Sequence, residues 1–158
     1  MRDNDNLETP EWVWRALGPI QLDPCAGLNT RIGKVNWCID RGEDGLKKPW
    51  RGMWFCNPPF SQKEKWIEKA ISSCGVGGIL LLPERGSAPW FGPLAEKSNA
   101  YWVMGKRINF VGGPSSNNVG TVLFLFGGEC VTRVGNSGLP GHLCLCLSYR
   151  SRDNSEVK

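Results

Sequence analysis

Apolar residues along this chain come in short runs, set apart by proline, glycine and acidic residues. Val13, Ala16 and Leu17 recur at helical spacing behind Thr9-Pro10-Glu11. There Thr9 is expected to cap a helix, Pro10 to take its first position and Glu11 to face the positive end of its dipole. Gly18-Pro19 stops that helix. Ile20-Gln21-Leu22 predicts a short strand running into Asp23-Pro24-Cys25-Ala26-Gly27. A second strand is expected over 34–39, ending at Asp40, and a third over 52–56, ending at Asn57. Ser61-Gln62-Lys63-Glu64 has the form of a capping box, and Trp66, Ile67, Ala70, Ile71 and Cys74 follow at helical spacing until Gly75. The continuous apolar run 78–82 predicts a buried parallel strand. A loop over 83–89, a short helix over 90–97 and strands over 100–104, 121–126 and 143–149 complete the pattern; residues 128–158 match nothing recognisable.

Strand, loop and helix in alternation argue for an open α/β sheet with helices on both faces. Ligands of such sheets bind outside the carboxyl ends of the strands, which is where Asp23 and Asn57 fall. With 158 residues and 41% hydrophobic content the chain suits one domain over 1–150, followed by a polar tail over 151–158. No apolar run approaches the roughly 20 residues of a membrane span, and Met1 to Glu8 is polar and acidic rather than a secretory signal. Seven cysteines without a C-x-x-C pattern suit a reducing cytoplasm better than a disulfide framework. His142, Cys144 and Cys146 would share one face of a strand, but no fourth ligand accompanies them, so no metal is expected. The structural reading places Leu143, Leu145 and Leu147 inward. A net charge of +4 permits a polyanionic partner, and eight tryptophans beside basic residues suit nucleotide stacking.

Asn57-Pro58-Pro59-Phe60 carries the most specific chemistry. An exocyclic amino group on a nucleobase is a poor nucleophile because its lone pair is delocalised into the ring. A site that accepts hydrogen bonds from both N–H groups makes the nitrogen more tetrahedral and aims the lone pair at a methyl donor. The side-chain oxygen of Asn57 and the carbonyl of Pro58 can accept together, two prolines fix the backbone, and Phe60 offers a flat face for the base. No strong base is needed, which accommodates a chain with one histidine. Asp23, closing a strand ahead of small residues, suits close approach of a nucleoside, and Asp40 and Asp44 are further candidates for ribose or amino contacts.

The order of these features resembles the phage-type DNA N6-adenine methyltransferase family. Thr9-Pro10, Leu22-Asp23-Pro24-Cys25-Ala26, Asp44-Gly45-Leu46 through Pro49-Trp50, and Asn57 to Ser61 match its successive motifs. So do Leu82-Pro83-Glu84-Arg85 with Trp90-Phe91, and Lys106 through Gly113, so that the likeness spans about residues 8–127. The resemblance implies a minimal class I, Rossmann-like methyltransferase fold that uses S-adenosyl-L-methionine (AdoMet) and methylates adenine in DNA. It implies cofactor contacts from Thr9, Pro10, Asp23, Pro24, Cys25, Ala26 and Asp44, and catalysis by Asn57, Pro58, Pro59 and Phe60. A chain this short leaves DNA reading to loops, with Arg85, Lys106 and Arg107 as the expected contacts. Phe60 departs from the family's usual Tyr. N-P-P-F also occurs in methyltransferases acting on guanine in ribosomal RNA, so RNA-base or protein-amide methylation is the alternative. A non-catalytic nucleic-acid-binding protein on the same fold is the rival from another class.

Overall fold

Two segments, Gly78–Pro83 (β4) and Thr121–Phe126 (β6), are apolar along nearly their whole length, and both are covered on both faces. They lie side by side and antiparallel near the middle of a seven-stranded sheet of order β2-β1-β3-β4-β6-β5-β7. The computed structural model describes residues 5–113 and 118–145. Ile20–Asp23 (β1), Gly33–Asn36 (β2), Trp54–Cys56 (β3) and β4 run parallel. Ala100–Met104 (β5) pairs antiparallel with β6, and Gly141–Leu145 (β7) antiparallel with β5. The sheet is therefore half parallel and half antiparallel.

Alternation along the strands sorts the core into two layers. Phe55, Ile79, Leu81, Leu123 and Leu125 face one side, where they meet Val13 of Glu11–Ala16 (α1), Leu17 directly after that helix, and Cys130 and Val134 of Gly128–Gly135 (α4). Trp54, Cys56, Leu80, Leu82, Phe124 and Phe126 face the other. There they meet Trp66, Ile67 and Ala70 of Lys63–Ser72 (α2) and Leu94 of Phe91–Lys97 (α3). Helices on both faces explain why the central strands need no polar side. Truncating a ring as enclosed as Trp54, which has no exposed surface, should cost about 3–5 kcal/mol.

The strand order puts the site at one edge. Since β1, β3, β4 and β5 share a direction, the segments following Asp23, Cys56, Pro83 and Met104 all emerge at the same end of the sheet.

Four expectations change. β2 ends at Asn36, and a single 3₁₀ turn, Ile39–Arg41, follows it. Ser61 does not cap its own helix: a 3₁₀ turn, Phe60–Gln62, precedes α2, and the Ser61 amide and hydroxyl both donate to the Asp5 carboxylate. Thr9 makes no cap either, because its hydroxyl accepts from Asn57. The last described strand begins earlier than expected, and Leu143 and Leu145 stay 39% and 65% exposed. They share a face with Trp102 and Ala100, but β7 is the outermost strand and nothing among the described residues covers them. Cys146, Leu147 and the tail over 151–158 lie outside the described residues.

Candidate active site

A cleft of about 530 Å³ opens at the carboxyl ends of β1 and β3. Three stretches form its walls. Asp23 through Thr30 turns out of β1, Cys38 to Asp40 and Glu43 to Leu46 cross from β2, and Asn57 and Pro59 lead toward α2, whose Trp66 reaches the same cavity. A fourth wall is the segment Asp5–Thr9, which crosses the mouth ahead of α1.

Close backbone packing sets the shape. A side chain on Gly45 would collide with the Pro24 carbonyl, so Asp44-Gly45-Leu46 can lie against Asp23-Pro24 only with glycine there. The indole N–H of buried Trp50 donates to the Gly45 carbonyl at 2.8 Å and holds that contact from behind. Asp44 accepts from the Leu46 amide at 3.0 Å and pairs with Lys47 at 3.3 Å. Across the cleft, a Cβ on Gly27 would stand 2.6 Å from the Glu8 carboxylate oxygen, so this acid rests on the bare backbone of the β1 loop.

Asp23 is the electrostatic centre. Only 3% of it is exposed, its Oδ1 accepts from the Cys25 amide at 3.1 Å, and no lysine or arginine pairs with it among the described residues. Burial pushes its pKa up to about 7; the Cys25 hydrogen bonds oppose the rise and Glu8 adds to it. The acids Asp5, Glu8, Asp23, Asp40, Glu43 and Asp44 all line the cleft, and no Lys, Arg or His does so among the described residues. Such a cavity favours a ligand that carries positive charge. Beneath it, the Cys25 thiol donates to the Asn57 carbonyl at 3.3 Å and its sulfur lies 3.1 Å from that of Cys56. Burial raises the pKa of both thiols, so they are neutral packing groups rather than nucleophiles.

Asn57 is held by its nitrogen. Nδ2 donates to the Leu7 carbonyl at 3.0 Å and to the Thr9 hydroxyl at 3.1 Å, which leaves Oδ1 as an acceptor. Pro58 is buried, and Phe60 is half-buried and part of neither core layer.

The structure thus gathers Thr9, Asp23, Pro24, Cys25, Ala26, Asp44, Asn57 and Pro59 around one cavity. Pro10, Pro58 and Phe60 flank it without lining it. Arg85, Lys106 and Arg107 are exposed on loops at the same sheet edge, outside the cleft; the Lys106 ammonium lies 5.5 Å from the ring of Trp12. Sequence reasoning missed Asp5, Leu7 and Glu8, which had registered only as a polar beginning. It also passed over Thr30, whose buried hydroxyl accepts from the Gly27 amide at 3.2 Å.

A family model for DNA N-6-adenine-methyltransferase (Dam) matches residues 1–132. The chain belongs to that family, and its activity is methylation of adenine in DNA. A search of curated proteins finds no match to the chain.

Proposed function

We propose that the cleft binds AdoMet and that the enzyme swings its target adenine out of the duplex to meet it. The observation that carries this reading is the buried Asp23 carboxylate, without a cationic partner among the described residues, in a cavity lined by acids. AdoMet bears a sulfonium and an ammonium, which such residues fit, and it supplies a methyl group that a weak amine can accept. Asp23, Pro24, Cys25 and Ala26 form the floor for it, Asp44 a side wall, and Thr9-Pro10 the outer rim. The strand pattern, parallel through β2-β1-β3-β4 and then reversed at β6, supports a minimal class I, Rossmann-like reading of the fold.

For the acceptor, Asn57 Oδ1 and the Pro58 carbonyl take the two N–H groups of adenine N6. That would localise the nitrogen lone pair as the N–C bond forms and the methyl–sulfur bond of the sulfonium breaks, its electron pair staying on sulfur as a neutral thioether. The proton would leave afterwards to water, from a nitrogen made acidic by its new substituent and positive charge, so the loop supplies aimed acceptors rather than a base. Phe60, part-exposed at the start of the following turn, stacks on the extruded base. Arg85, Lys106 and Arg107 track the DNA at the same edge, while no helix among the described residues is long and apolar enough to cross a membrane. The work would be done in the cytoplasm, where the DNA is.

Incubation with labelled AdoMet and DNA, followed by digestion, should yield N6-methyl-2′-deoxyadenosine as the labelled nucleoside. Label on guanine in RNA, or on protein, would replace the DNA reading with the alternative raised by Phe60.

A further inference from the structure

The segment Asp5–Thr9 holds the Asn57 loop at both of its ends. At one end the two hydrogens of the Asn57 amide go to the Leu7 carbonyl (3.0 Å) and the Thr9 hydroxyl (3.1 Å). At the other, the Asp5 carboxylate accepts from the Ser61 amide at 3.0 Å and from the Ser61 hydroxyl at 2.6 Å. The segment is anchored on its far side by a two-way backbone pairing, Glu8 N–H to Val111 at 3.0 Å and Val111 N–H to Glu8 at 2.9 Å. Residues about fifty positions apart in sequence are thereby fixed to one another across the cleft mouth.

The chemistry of an amide gives this pairing a consequence. A primary amide has nearly the same shape when flipped by half a turn about its last bond, so packing alone does not choose between the two orientations. Hydrogen bonding does. Flipped, Asn57 would set its oxygen against the Leu7 carbonyl oxygen at a separation near 3.0 Å, and would turn N–H groups toward the place where the acceptor amine must donate. The proposed transfer fails in that orientation, because two donors would face each other.

We infer that Asp5 and Thr9 are positioning residues: they clamp the catalytic loop from the amino-terminal side and keep the Asn57 oxygen, rather than its nitrogen, turned to the acceptor amine. The inference rests on the proposed role of Asn57 as an amine acceptor. Asp5 acts through Ser61 and has no part in the core. The hydrogen bonds from Ser61 and from the Phe60 backbone keep its carboxylate below the usual pKa, consistent with a charged tether. Thr9 is the more direct of the two. Its oxygen receives one Asn57 hydrogen, while its own proton remains for a second partner.

The test compares Asp5→Ala, Thr9→Val and Thr9→Ser with the parent enzyme. Four readouts apply: thermal melting, AdoMet affinity by calorimetry, steady-state kinetics on DNA, and NMR exchange of the Asn57 side-chain amide hydrogens. Thr9→Val should lower kcat roughly tenfold or more, the scale of one lost hydrogen bond with its unpaired partner. KM for DNA should stay within about twofold, and the AdoMet Kd, which Thr9 borders only at the rim, should change by less than kcat does. The Asn57 amide hydrogens should lose protection in the same variant, and Thr9→Ser should restore both properties. Asp5→Ala should show the same pattern more weakly, with its effect reduced in a Ser61→Ala background by the share that the hydroxyl carries, since the Ser61 amide still donates to the carboxylate there. Unchanged exchange at Asn57, or kcat and melting temperature falling together in Thr9→Ser as in Thr9→Val, would overturn the clamp. Protection lost on cue in a protein that transfers no methyl group would uphold the clamp and defeat the acceptor role instead.

Discussion

Two regions at the same edge of the sheet carry opposite charge. The cleft beside the parallel strands β1, β2 and β3 is walled by Asp5, Glu8, Asp23, Asp40, Glu43 and Asp44. The loops that follow β4 and β5, toward the antiparallel half, present Arg85, Lys106 and Arg107 to solvent. A net charge of +4 conceals this division. On the proposed reading, charge is sorted by partner: acids where a cationic cofactor would be enclosed, bases where a polyanion would be met. Asn57 stands between the two, and each region can be disabled separately.

The largest effect should come from Asn57 itself. Asn57→Ala ought to lower turnover by about 10²-fold or more, the cost of losing one pre-aimed polar group in a transition state. AdoMet affinity measured by calorimetry should barely change. Loss of cofactor binding in a folded variant would move Asn57 from the boundary into the acidic region.

Asp23→Asn should act on that region alone. AdoMet affinity is expected to fall tenfold or more, and in the parent enzyme it should fall as pH drops through about 7, where Asp23 takes up its proton. The stability effect has the opposite sign. Between the ordinary carboxylate pKa near ~4 and the raised value of about 7, the folded protein binds more protons than the unfolded chain. Stability of the ligand-free protein should therefore decline as pH rises through that window. Asp23→Asn should remove the decline and stabilise the ligand-free protein above pH 7 by an amount on the order of 4 kcal/mol at most. Melting curves across pH, with and without AdoMet, would show it. A variant no more stable at high pH would mean that burial does not strain this carboxylate.

Phe60 tests the boundary from the DNA side. Phe60→Ala should weaken capture of the extruded base by about 1–3 kcal/mol, and Phe60→Tyr should retain most activity. Fluorescence of 2-aminopurine at the target position reports the first and turnover the second. A large drop in melting temperature with base extrusion intact would make Phe60 a packing residue, contrary to its absence from both core layers.

The smallest effect is expected from Arg107→Ala. DNA binding should weaken modestly and evenly across sequences, and the slope of log affinity against log salt should fall by about 1. An unchanged slope would remove that loop from the DNA-facing surface.

What the sequence revealed and withheld divides along physical lines. Strands such as β4 and β6 were legible because full burial demands unbroken apolar runs, and α2 because its buried face repeats at helical spacing. The site motifs were legible because glycine and proline mark close backbone contacts, as Gly45 does against Pro24. Helix α4 was missed although Cys130 and Val134 bear a helical interval; glycines on both sides and the β-branched Val131 and Thr132 masked it. The caps were misread for a different reason. Ser61 and Thr9 have the residue types that close a helix locally, but their partners come from Asp5 and Asn57, tens of residues away. Local pattern carries no record of such pairings, and so Asp5, Leu7 and Glu8 left no signal.

The tryptophans give the molecule an optical property as well. Trp66 reaches the cleft and lies 6.2 Å from Trp50, whose ring is in turn 4.8 Å from that of Trp54. At such separations indole rings exchange excitation energy faster than they emit, so the three share their excitation, and one of them borders the cavity. Any quencher or charge arriving beside Trp66 drains light absorbed by all three. Filling of the cavity should therefore register in the protein's own emission, in real time and without a label.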